Sequence, residues 1–378
     1  MTNQVKKVPE LRFPEFDGKW EEKKLGDIAH ITMGQSPKSS NYTNNDQDMV
    51  LVQGNADMKK GQIYPRIYTT EITKLAEIDD ILLSVRAPVG ELAIAQLRAC
   101  IGRGVCAINA NKFVYYNLEL FKVRNTWKLF SQGSTFESIS GNEIKKINFQ
   151  IPISKSEQQK IGEFFSKLDR QIELEEQKLA KLEEQKKGYM QKIFSQELRF
   201  KDESGNEYPE WEEKKLFDVV KYLSSKRSSN YYSEDIIHGQ YPVYDAVQEI
   251  SRDTNFDIEE SYISILKDGA GVGRLNLRPG KSSVIGTMGY LLPQNIDIKF
   301  LFYYLKTMNF NRFVIGSTIP HLYFKDYSKE TILIPIDKSE QIKIGSFFIK
   351  LDRIINNKAK KIKVLKQRKQ GFLQKMFV

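Results

Sequence analysis

The sequence contains little cysteine, little histidine and no long apolar run. Its 378 residues include two cysteines, Cys100 and Cys106, which excludes a disulfide-stapled scaffold and favours a reducing compartment such as the cytoplasm. The three histidines are isolated and form no metal-ligand pattern. No stretch of about 18 uncharged apolar residues occurs, and the N-terminus lacks the apolar core of a signal peptide. We therefore expect a cytoplasmic globular protein with no membrane span and no metal.

Catalytic motifs are also missing. No Pro-Pro pair occurs, which excludes the Asn/Asp-Pro-Pro-aromatic tetrapeptide of amino-methyltransferases. Gly280-Lys281-Ser282 resembles the end of a P-loop, but Leu275 stands where the motif needs its first glycine. The glycine-rich segment 269–273 lacks dinucleotide-binding spacing and suits a tight turn. We predict a chain that has no catalytic residue and binds no cofactor itself.

The charge is distributed unevenly. Lys and Arg number 58 against 48 Asp and Glu, which gives a net charge of +10. Eight of the basic residues lie in segment 354–378, which holds no acid, so the rest of the chain has a net charge of only +2. The overall charge is therefore a weak indication of nucleic-acid binding.

The chain is an internal duplication. The matching segments are 11–13 with 198–200, 20–25 with 211–216, 151–158 with 334–341, and 167–170 with 350–353. The offset is 191 residues at the tryptophans that open each copy and 183 residues towards the end. A period of this size indicates two tandem domains, since solenoid repeats are much shorter. Segments 30–130 and 221–315 agree only at scattered positions. This predicts two variable modules, each enclosed by near-identical opening and closing segments, which we call the frames of the duplication.

Each copy is predicted to end in a long helix. A capping-box pattern marks the two N-termini, Ser154 with Glu157 and Asp337 with Glu340. Beyond them the apolar spacing is that of a coiled coil. The predicted seam residues are Leu168, Ile172, Leu179, Leu182, Tyr189 and Ile193 in the first helix, and Leu351, Ile355, Ile362, Leu365, Phe372 and Met376 in the second.

The charges of the two helices are complementary. Segment 171–187 carries five glutamates and four lysines, whereas segment 354–370 carries seven basic residues and no acid. Pairing the helices with each other neutralises charge, and tandem copies related by a pseudo-two-fold axis favour an antiparallel pair. Helices of this length reach about 60 Å, against about 34 Å for one turn of DNA. The alternative is a second helix whose basic face is solvated or contacts phosphate.

Both modules have the pattern of a strand-rich α+β domain. Short β-like runs occur at 49–52, 81–85, 92–95, 262–266, 283–285 and 290–292, with helical stretches at about 117–129 and 298–308. The predicted fold class is α+β, with two strand-rich α/β modules joined by two long helices in an antiparallel coiled coil. The predicted boundaries are 1–19 for an N-terminal segment, 20–153 for the first module, 154–197 for the central helix, 198–210 for a linker, 211–336 for the second module and 337–378 for the C-terminal helix.

Polar and basic residues cluster in the predicted loops of both modules. Arg and Lys side chains commonly bind phosphates or guanine edges, and Asn and Gln commonly bind adenine. Ser and Thr can hydrogen-bond to phosphates or to bases. Any one of them alone is more often part of a solvated turn. The DNA-binding candidates are Lys38, Ser39, Asn41, Tyr42, Arg86, Arg103, Ser134 and Thr135 in the first module, and Lys226, Arg227, Ser228, Lys267, Arg274, Thr287, Ser317 and Thr318 in the second.

Together these motifs resemble one family, the DNA-specificity (S) subunits of type I restriction-modification systems. The motifs that carry the resemblance are segment 79–90, Ile-Gly-Arg-Gly at 101–104, Gly-Ser-Thr at 133–135 and 316–318, segment 267–274, and the helix-opening segments 151–170 and 334–353. The resemblance implies that each module is a target recognition domain reading one half of a bipartite DNA site, and that the helices set the gap. Because the modules differ in sequence, we expect an asymmetric target.

The resemblance also implies partners. Two modification subunits that carry S-adenosylmethionine and methylate adenine N6 would dock on the helices and modules, and restriction subunits using ATP and Mg would join them. Two rival interpretations remain, a coiled-coil adaptor that binds only proteins and a fragment of a fused methyltransferase or nuclease. Salt-dependent binding to duplex DNA would distinguish a DNA-specificity subunit from the protein-binding adaptor. The fused-enzyme interpretation requires a methyl-donor or metal-binding motif in this chain.

Overall fold

The computed structural model describes residues 8–130, 138–232 and 239–378, and its contacts divide the chain into two compact units. The first unit comprises residues 1–176 and 360–378, and the second comprises residues 177–359. The predicted site residues Ser134 and Thr135 lie outside the described residues.

The first unit is built on two sheets and a separate strand pair. Its strands are β1 (Glu21–Lys24), β2 (His30–Met33), β3 (Tyr42–Thr43), β4 (Met49–Val52), β5 (Met58–Lys59), β6 (Gln62–Ile63), β7 (Tyr68–Thr69), β8 (Leu75–Ala76), β9 (Ile81–Ser84), β10 (Leu92–Ile94), β11 (Ala99–Ile101), β12 (Val105–Asn109) and β13 (Asn148–Ile151). The sheet orders are β2-β12-β9-β10-β6-β5 and β3-β7-β4-β11-β8, with β1 paired to β13. Its helices are α1 (Leu25–Ile28), α2 (Lys112–Val123), α3 (Trp127–Phe130), α4 (Gly141–Lys145) and the first part of α5 (Lys155–Phe194).

The central strands β9 and β12 of the six-stranded sheet are buried on both faces. Successive side chains of a strand point to opposite faces. Along β9, Ile81 and Leu83 join the core beneath the helices, whereas Leu82 joins the core between the two sheets. Along β12, Cys106 faces the helical core and Ala107 the other. This two-sided burial explains why β9 begins with three consecutive apolar residues, Ile81–Leu83, instead of alternating.

The second unit repeats this plan with shorter sheets. Its strands are β14 (Trp211–Lys215), β15 (Val220–Ser224), β16 (Tyr241–Tyr244), β17 (Glu249–Asp253), β18 (Tyr262–Leu266), β19 (Leu275–Arg278), β20 (Ser283–Val284), β21 (Met288–Pro293), β22 (Val314–Ile315), β23 (His321–Leu322) and β24 (Thr331–Pro335). The sheet orders are β15-β21-β18-β19 and β17-β16-β20, with the pairs β14-β24 and β22-β23. Its helices are α6 (Leu216–Val219), α7 (Ile298–Leu305), α8 (Phe324–Tyr327) and the first part of α9 (Lys338–Met376).

The predicted fold class is confirmed, and the predicted β-like runs coincide with strands of the structure. The prediction of a helix at about 117–129 was wrong in extent, because α2 begins at Lys112 and ends at Val123. The side chain of Asn111 caps this helix by accepting a hydrogen bond from the backbone N–H of Val114. A short second helix, α3, follows.

The near-identical frames of the duplication are strand pairs that close each unit. Strand β1 runs antiparallel to β13, with Glu21 opposite Ile151, and β14 runs antiparallel to β24, with Trp211 opposite Pro335. The opening and closing segments of each copy therefore pair with each other directly beside the start of a long helix.

The predicted capping boxes are only half correct. Ser154 Oγ accepts a hydrogen bond from the backbone N–H of Glu157 at 3.4 Å, as a capping residue does. The Glu157 carboxylate is bound instead by Arg12 of the repeated Leu-Arg-Phe motif, with Nε to Oε1 at 2.7 Å. In the second unit Arg199 Nη2 lies 3.0 Å from Glu340 Oε2. A charged guanidinium is a stronger partner for a buried carboxylate than a neutral backbone N–H, which explains the departure.

Inside the first unit the two long helices pair in antiparallel fashion. Phe164 packs on Phe372 with ring centres 5.2 Å apart, Lys369 Nζ lies 2.6 Å from Asp169 Oδ1, and Lys361 Nζ lies 3.0 Å from Glu175 Oε1. The residue numbers of the contacting pairs rise along α5 while they fall along α9, so the two helices run in opposite directions.

The second unit shows the same pairing with the roles of the helices exchanged. Tyr189 packs on Phe347 at 5.3 Å, and Lys186 Nζ lies 2.5 Å from Asp352 Oδ1. Eleven of the twelve predicted seam residues are buried or half-buried, and Tyr189 is 39% exposed. Glu175, Lys186 and Lys369, which interrupt the apolar seam, form ion pairs between the helices.

Two glycines of α5 are expected to respond to alanine in opposite ways. A Cβ at Gly162 would lie 2.8 Å from Lys112 Cβ and 3.1 Å from the Phe113 backbone N, whereas a Cβ at Gly188 meets nothing within 4 Å. Gly162→Ala should therefore destabilise the protein by about 1–3 kcal/mol through overpacking. Gly188→Ala should stabilise it by about 0.5–1 kcal/mol, because glycine is costly inside a helix. Thermal unfolding of both variants tests this, and stabilisation by Gly162→Ala would contradict the close helix crossing.

Candidate nucleic-acid interface

In the first unit, several predicted DNA-binding residues from separate loops line one shallow depression. Its volume is about 630 Å³. Within the described ranges, no ion pair or side-chain hydrogen bond engages Lys38, Arg86 or Arg103, and all three side chains are exposed. None of the described lining residues is acidic, so the depression attracts anions. The lining residues are Ser36, Pro37, Lys38, Ser39, Tyr42, Gln53, Gly54, Asn55, Arg86, Ala87, Arg103 and Gly104.

Backbone hydrogen bonds hold these loops together. The backbone N–H of Arg103 donates to Ser36 Oγ at 3.1 Å, and that of Val85 donates to the Gly104 carbonyl at 2.9 Å. Arg86 forms an isolated β-bridge with Ser138. The bonded residues lie up to 67 positions apart in the chain. The position of the arginines is therefore fixed by the tertiary fold of the unit.

The Ile-Gly-Arg-Gly motif is explained by a close backbone approach. A Cβ at Gly104 would lie 2.1 Å from the Gln53 carbonyl oxygen. Gly104→Ala must therefore displace the loop that carries Gln53, and we expect it to destabilise the unit by about 1–3 kcal/mol. Gly54→Ala is the matched control, because a Cβ there meets nothing within 4 Å. Thermal unfolding that shows equal stability for the two variants would contradict this explanation.

Asn41 is the predicted residue of this module that the fold uses internally. Its Nδ2 donates to Glu71 Oε2 at 2.7 Å, and the same oxygen accepts the backbone N–H of Lys38 at 2.8 Å. The hydrogen bonds from Lys38 and Asn41 lower the pKa of Glu71. Asn41 thus fixes the shape of the loop that presents Lys38, and among the described residues this uses one of its two amide N–H groups.

In the second unit, backbone hydrogen bonds also bring the predicted loops together. The backbone N–H of Gly286 donates to the Arg227 carbonyl at 2.6 Å, and that of Lys267 donates to the Thr287 carbonyl at 2.9 Å. The Leu322 N–H donates to the Lys267 carbonyl at 2.8 Å. Loops around positions 226, 267–274, 287 and 317–321 therefore form one cluster. Its exposed candidates are Lys226, Ser228, Arg274, Ser317 and Thr318, and Thr287 is half-buried.

Arg227 is held in an internal network. Its Nη2 lies 2.8 Å from Asp257 Oδ1, and its Nη1 lies 2.5 Å from Asp253 Oδ2 and 2.6 Å from the Tyr232 hydroxyl. Burial would raise the pKa of Asp253, but hydrogen bonds from Tyr232, the Asn255 N–H and Arg227 lower it to about 2. Both carboxylates neutralise the guanidinium, which leaves this arginine structural in the unbound protein.

Lys267 is likewise paired, with the neighbouring Asp268. Asp268 Oδ1 also lies 2.8 Å from Nδ1 of His321 on β23. Burial opposes ionisation of Asp268, but hydrogen bonds from Lys267 and His321 keep its pKa below the usual value. Arg274 and Lys226, by contrast, have no ion pair or side-chain hydrogen bond with any residue that the structure describes. Composition alone did not distinguish these free cations from the neutralised ones.

The comparisons with known proteins agree with this architecture. The family model described as type I restriction modification DNA specificity domain matches residues 17–184 and 208–367, one match in each copy of the duplication. The chain belongs to this family. No helix among the described residues is long and apolar enough to cross a membrane.

Individual members of the specificity-domain family match over half of the chain or over nearly all of it. The MjaX specificity subunit of Methanocaldococcus jannaschii is 34% identical over 50% of this chain and 45% of its own length, so the match spans less than half of that relative. The type I restriction enzyme MjaIX specificity subunit of the same organism is 27% identical over 97% of this chain and 96% of its own length. The crystal structure of the type I restriction-modification system S subunit from M. genitalium superposes with a TM-score of 0.70 over 98% of this chain and 99% of that one. At 18% identity that structure supports the fold alone.

Proposed function

We propose that this chain reads a bipartite, asymmetric site in double-stranded DNA as the specificity subunit of a type I restriction-modification complex. The observation that carries the proposal is the depression of the first unit, where polar side chains are surrounded by three exposed cations from separate loops. None of the three forms an ion pair with a residue that the structure describes. Such a surface suits phosphate oxygens and the guanine major-groove edge.

The second half of the site would be read by the loop cluster around Lys226 and Arg274. The two loop surfaces share few side chains, so we expect the two half-sites to differ in sequence. Of the candidates proposed from the sequence, Lys38, Arg86, Arg103, Lys226 and Arg274 have the strongest support, because none of them forms an ion pair or a side-chain hydrogen bond with a residue that the structure describes. DNA binding by Arg227 and Lys267 stays a prediction. Either side chain would contact DNA only after its internal ion pair has opened.

The two long helices would fix the gap between the half-sites. Each is continuous, over 40 residues in α5 and 39 residues in α9, and the antiparallel pairing inside each unit rests on aromatic contacts and ion pairs. Modification subunits with S-adenosylmethionine would dock on this frame and methylate adenine. Restriction subunits that use ATP would complete the complex. The chain itself would supply recognition and no chemistry.

Removing one free arginine from each unit tests the proposal. In the complex with its modification subunits, Arg86→Ala is expected to relax the sequence requirement in one half-site and Arg274→Ala in the other. Each loss of affinity should be about 5- to 150-fold, the equivalent of about 1–3 kcal/mol for a base contact. Methylome sequencing reports the target, and fluorescence anisotropy with duplex DNA at several salt concentrations reports the affinity.

Arg98→Ala is the matched control for Arg86→Ala. Arg98 lies in the same unit, is exposed and pairs with Glu77 outside the depression. Unchanged affinity and specificity in both Arg86→Ala and Arg274→Ala would contradict the assignment. A complex that never binds DNA in a salt-dependent manner would favour the protein adaptor instead.

A further inference from the structure

The duplication places the same ionic cluster in both units. In the first unit Lys369 Nζ lies 2.6 Å from Asp169 Oδ1 and 5.3 Å from the ring centre of Tyr116. In the second, Lys186 Nζ lies 2.5 Å from Asp352 Oδ1 and 5.4 Å from the ring centre of a tyrosine 187 residues further on, at 303. The tyrosine hydroxyl donates to the aspartate in both units. The two clusters therefore have matching cores.

One position of this cluster carries opposite charges in the two units. In the first unit Glu119 Oε1 accepts from Lys369 Nζ at 2.7 Å. The residue 187 positions later, the same offset as between the two tyrosines, is Lys306. No residue that the structure describes forms an ion pair with Lys306, whose Nζ lies 4.4 Å from the ring centre of Phe302. Burial and repulsion from Lys186 lower the pKa of Lys306, against the weaker attraction of Asp352.

Lys306 lies at the rim of an open groove of about 710 Å³ in the second unit. Met190, Phe194 and Ile355 give this groove an apolar floor. Its charged lining consists of three lysines and two carboxylates, and one of these carboxylates, Asp352, is already paired with Lys186. The groove therefore has an excess positive charge beside an apolar surface.

We propose that this groove binds an acidic segment of a partner protein, with one carboxylate on Lys306 and an adjacent apolar side chain on the floor. The apolar floor favours a protein segment over DNA, because a phosphate backbone has no apolar group to bury there. The proposal rests on the proposed function in one respect, that the partner is a modification subunit. Since Glu119 neutralises the equivalent position in the first unit, the contact forms once per chain. It would distinguish two otherwise equivalent partner copies.

A charge reversal in the full chain tests the groove. Lys306→Glu recreates the arrangement of the first unit, so Lys186 gains a second carboxylate and the fold should be retained. We expect this variant to bind the purified modification subunit at least about tenfold more weakly, since like charges are then opposed. Lys329→Glu is the control, because Lys329 is exposed, lies outside the groove and gives the same change of net charge. Its affinity should stay within about twofold of the unmodified chain.

A photo-crosslinking residue at Gln191, which lines the groove, identifies the occupant. In the purified complex with duplex DNA present, we expect a cross-link to an acidic peptide of the modification subunit that Lys306→Glu removes. Equal affinities of the Lys306→Glu and Lys329→Glu chains, or a cross-link to DNA, would overturn the proposal. Site-specific methylation by the unmodified complex is measured in parallel. Its absence would refute the proposed function, whereas normal methylation with unchanged Lys306→Glu affinity would refute only the groove.

Discussion

Replacing Arg12 by alanine is expected to destabilise the first unit by about 3–5 kcal/mol, because a buried carboxylate loses its counter-charge. Arg12 Nε and Nη2 each donate to one oxygen of Glu157 at 2.7 Å, and Glu157 is only 1% exposed. The remaining donor, Trp20 Nε1 at 3.3 Å, is neutral and cannot replace the guanidinium. Peptide-resolved hydrogen exchange over the first turns of α5 measures the effect, since a chain of two units need not unfold in one step.

The double variant Arg12→Ala/Glu157→Gln separates lost charge pairing from lost packing. A neutral amide is cheaper to bury than a carboxylate and still accepts from Trp20, so the double variant should be more stable than Arg12→Ala alone. If both variants unfold with equal ease, the arginine acts through packing and the ion-pair explanation fails. Arg199 and Glu340 offer an independent repetition of the experiment in the second unit.

The long helices and their seam are the part of this fold that the sequence predicts best. The apolar periodicity of the helices is a local pattern, and it occurs in both copies of the duplication. Phe372 of the second copy, for example, occupies the position that Tyr189 has in the first. The charge difference between the helices correctly predicted which helix pairs with which. The strand-rich modules are also predictable, because turns and β-branched runs alternate over short distances.

Long-range partners are the part that the sequence does not predict. Glu157 fits a capping box, but its carboxylate is bound by an arginine 145 positions away. Lys38 and Arg227 belong to equally basic loops, yet Lys38 forms no ion pair with a described residue, whereas Arg227 is neutralised by two aspartates from the neighbouring strand and loop. The repeated Leu-Arg-Phe motif was a usable signal for the first case. No signal in the sequence distinguishes Arg227, because its partners are set by tertiary folding.

The two aspartates of the helix clusters are expected to differ in importance although they occupy equivalent positions. Asp352→Asn keeps the shape and an acceptor for the neighbouring tyrosine but removes the charge. It leaves Lys186 beside Lys306 with no carboxylate of a described residue in contact, and we expect a loss of about 3 kcal/mol from the second unit. Asp169→Asn leaves Lys369 paired with Glu119 and should cost only about 1 kcal/mol. Hydrogen exchange of peptides from α5 and α9 measures both.

A compensating variant tests the cause of this difference. In Asp352→Asn/Lys306→Glu, Lys186 regains a carboxylate at the position that Glu119 holds in the first unit, and the like-charge repulsion disappears. We therefore expect the double variant to recover about 2 kcal/mol and to resemble Asp169→Asn in stability. Equal losses for Asp352→Asn and Asp169→Asn, or no recovery in the double variant, would show that Lys306 is not electrostatically coupled to the cluster. The stability difference and the proposed groove therefore depend on the same residue, because Lys306 occupies the position that Glu119 holds in the first unit.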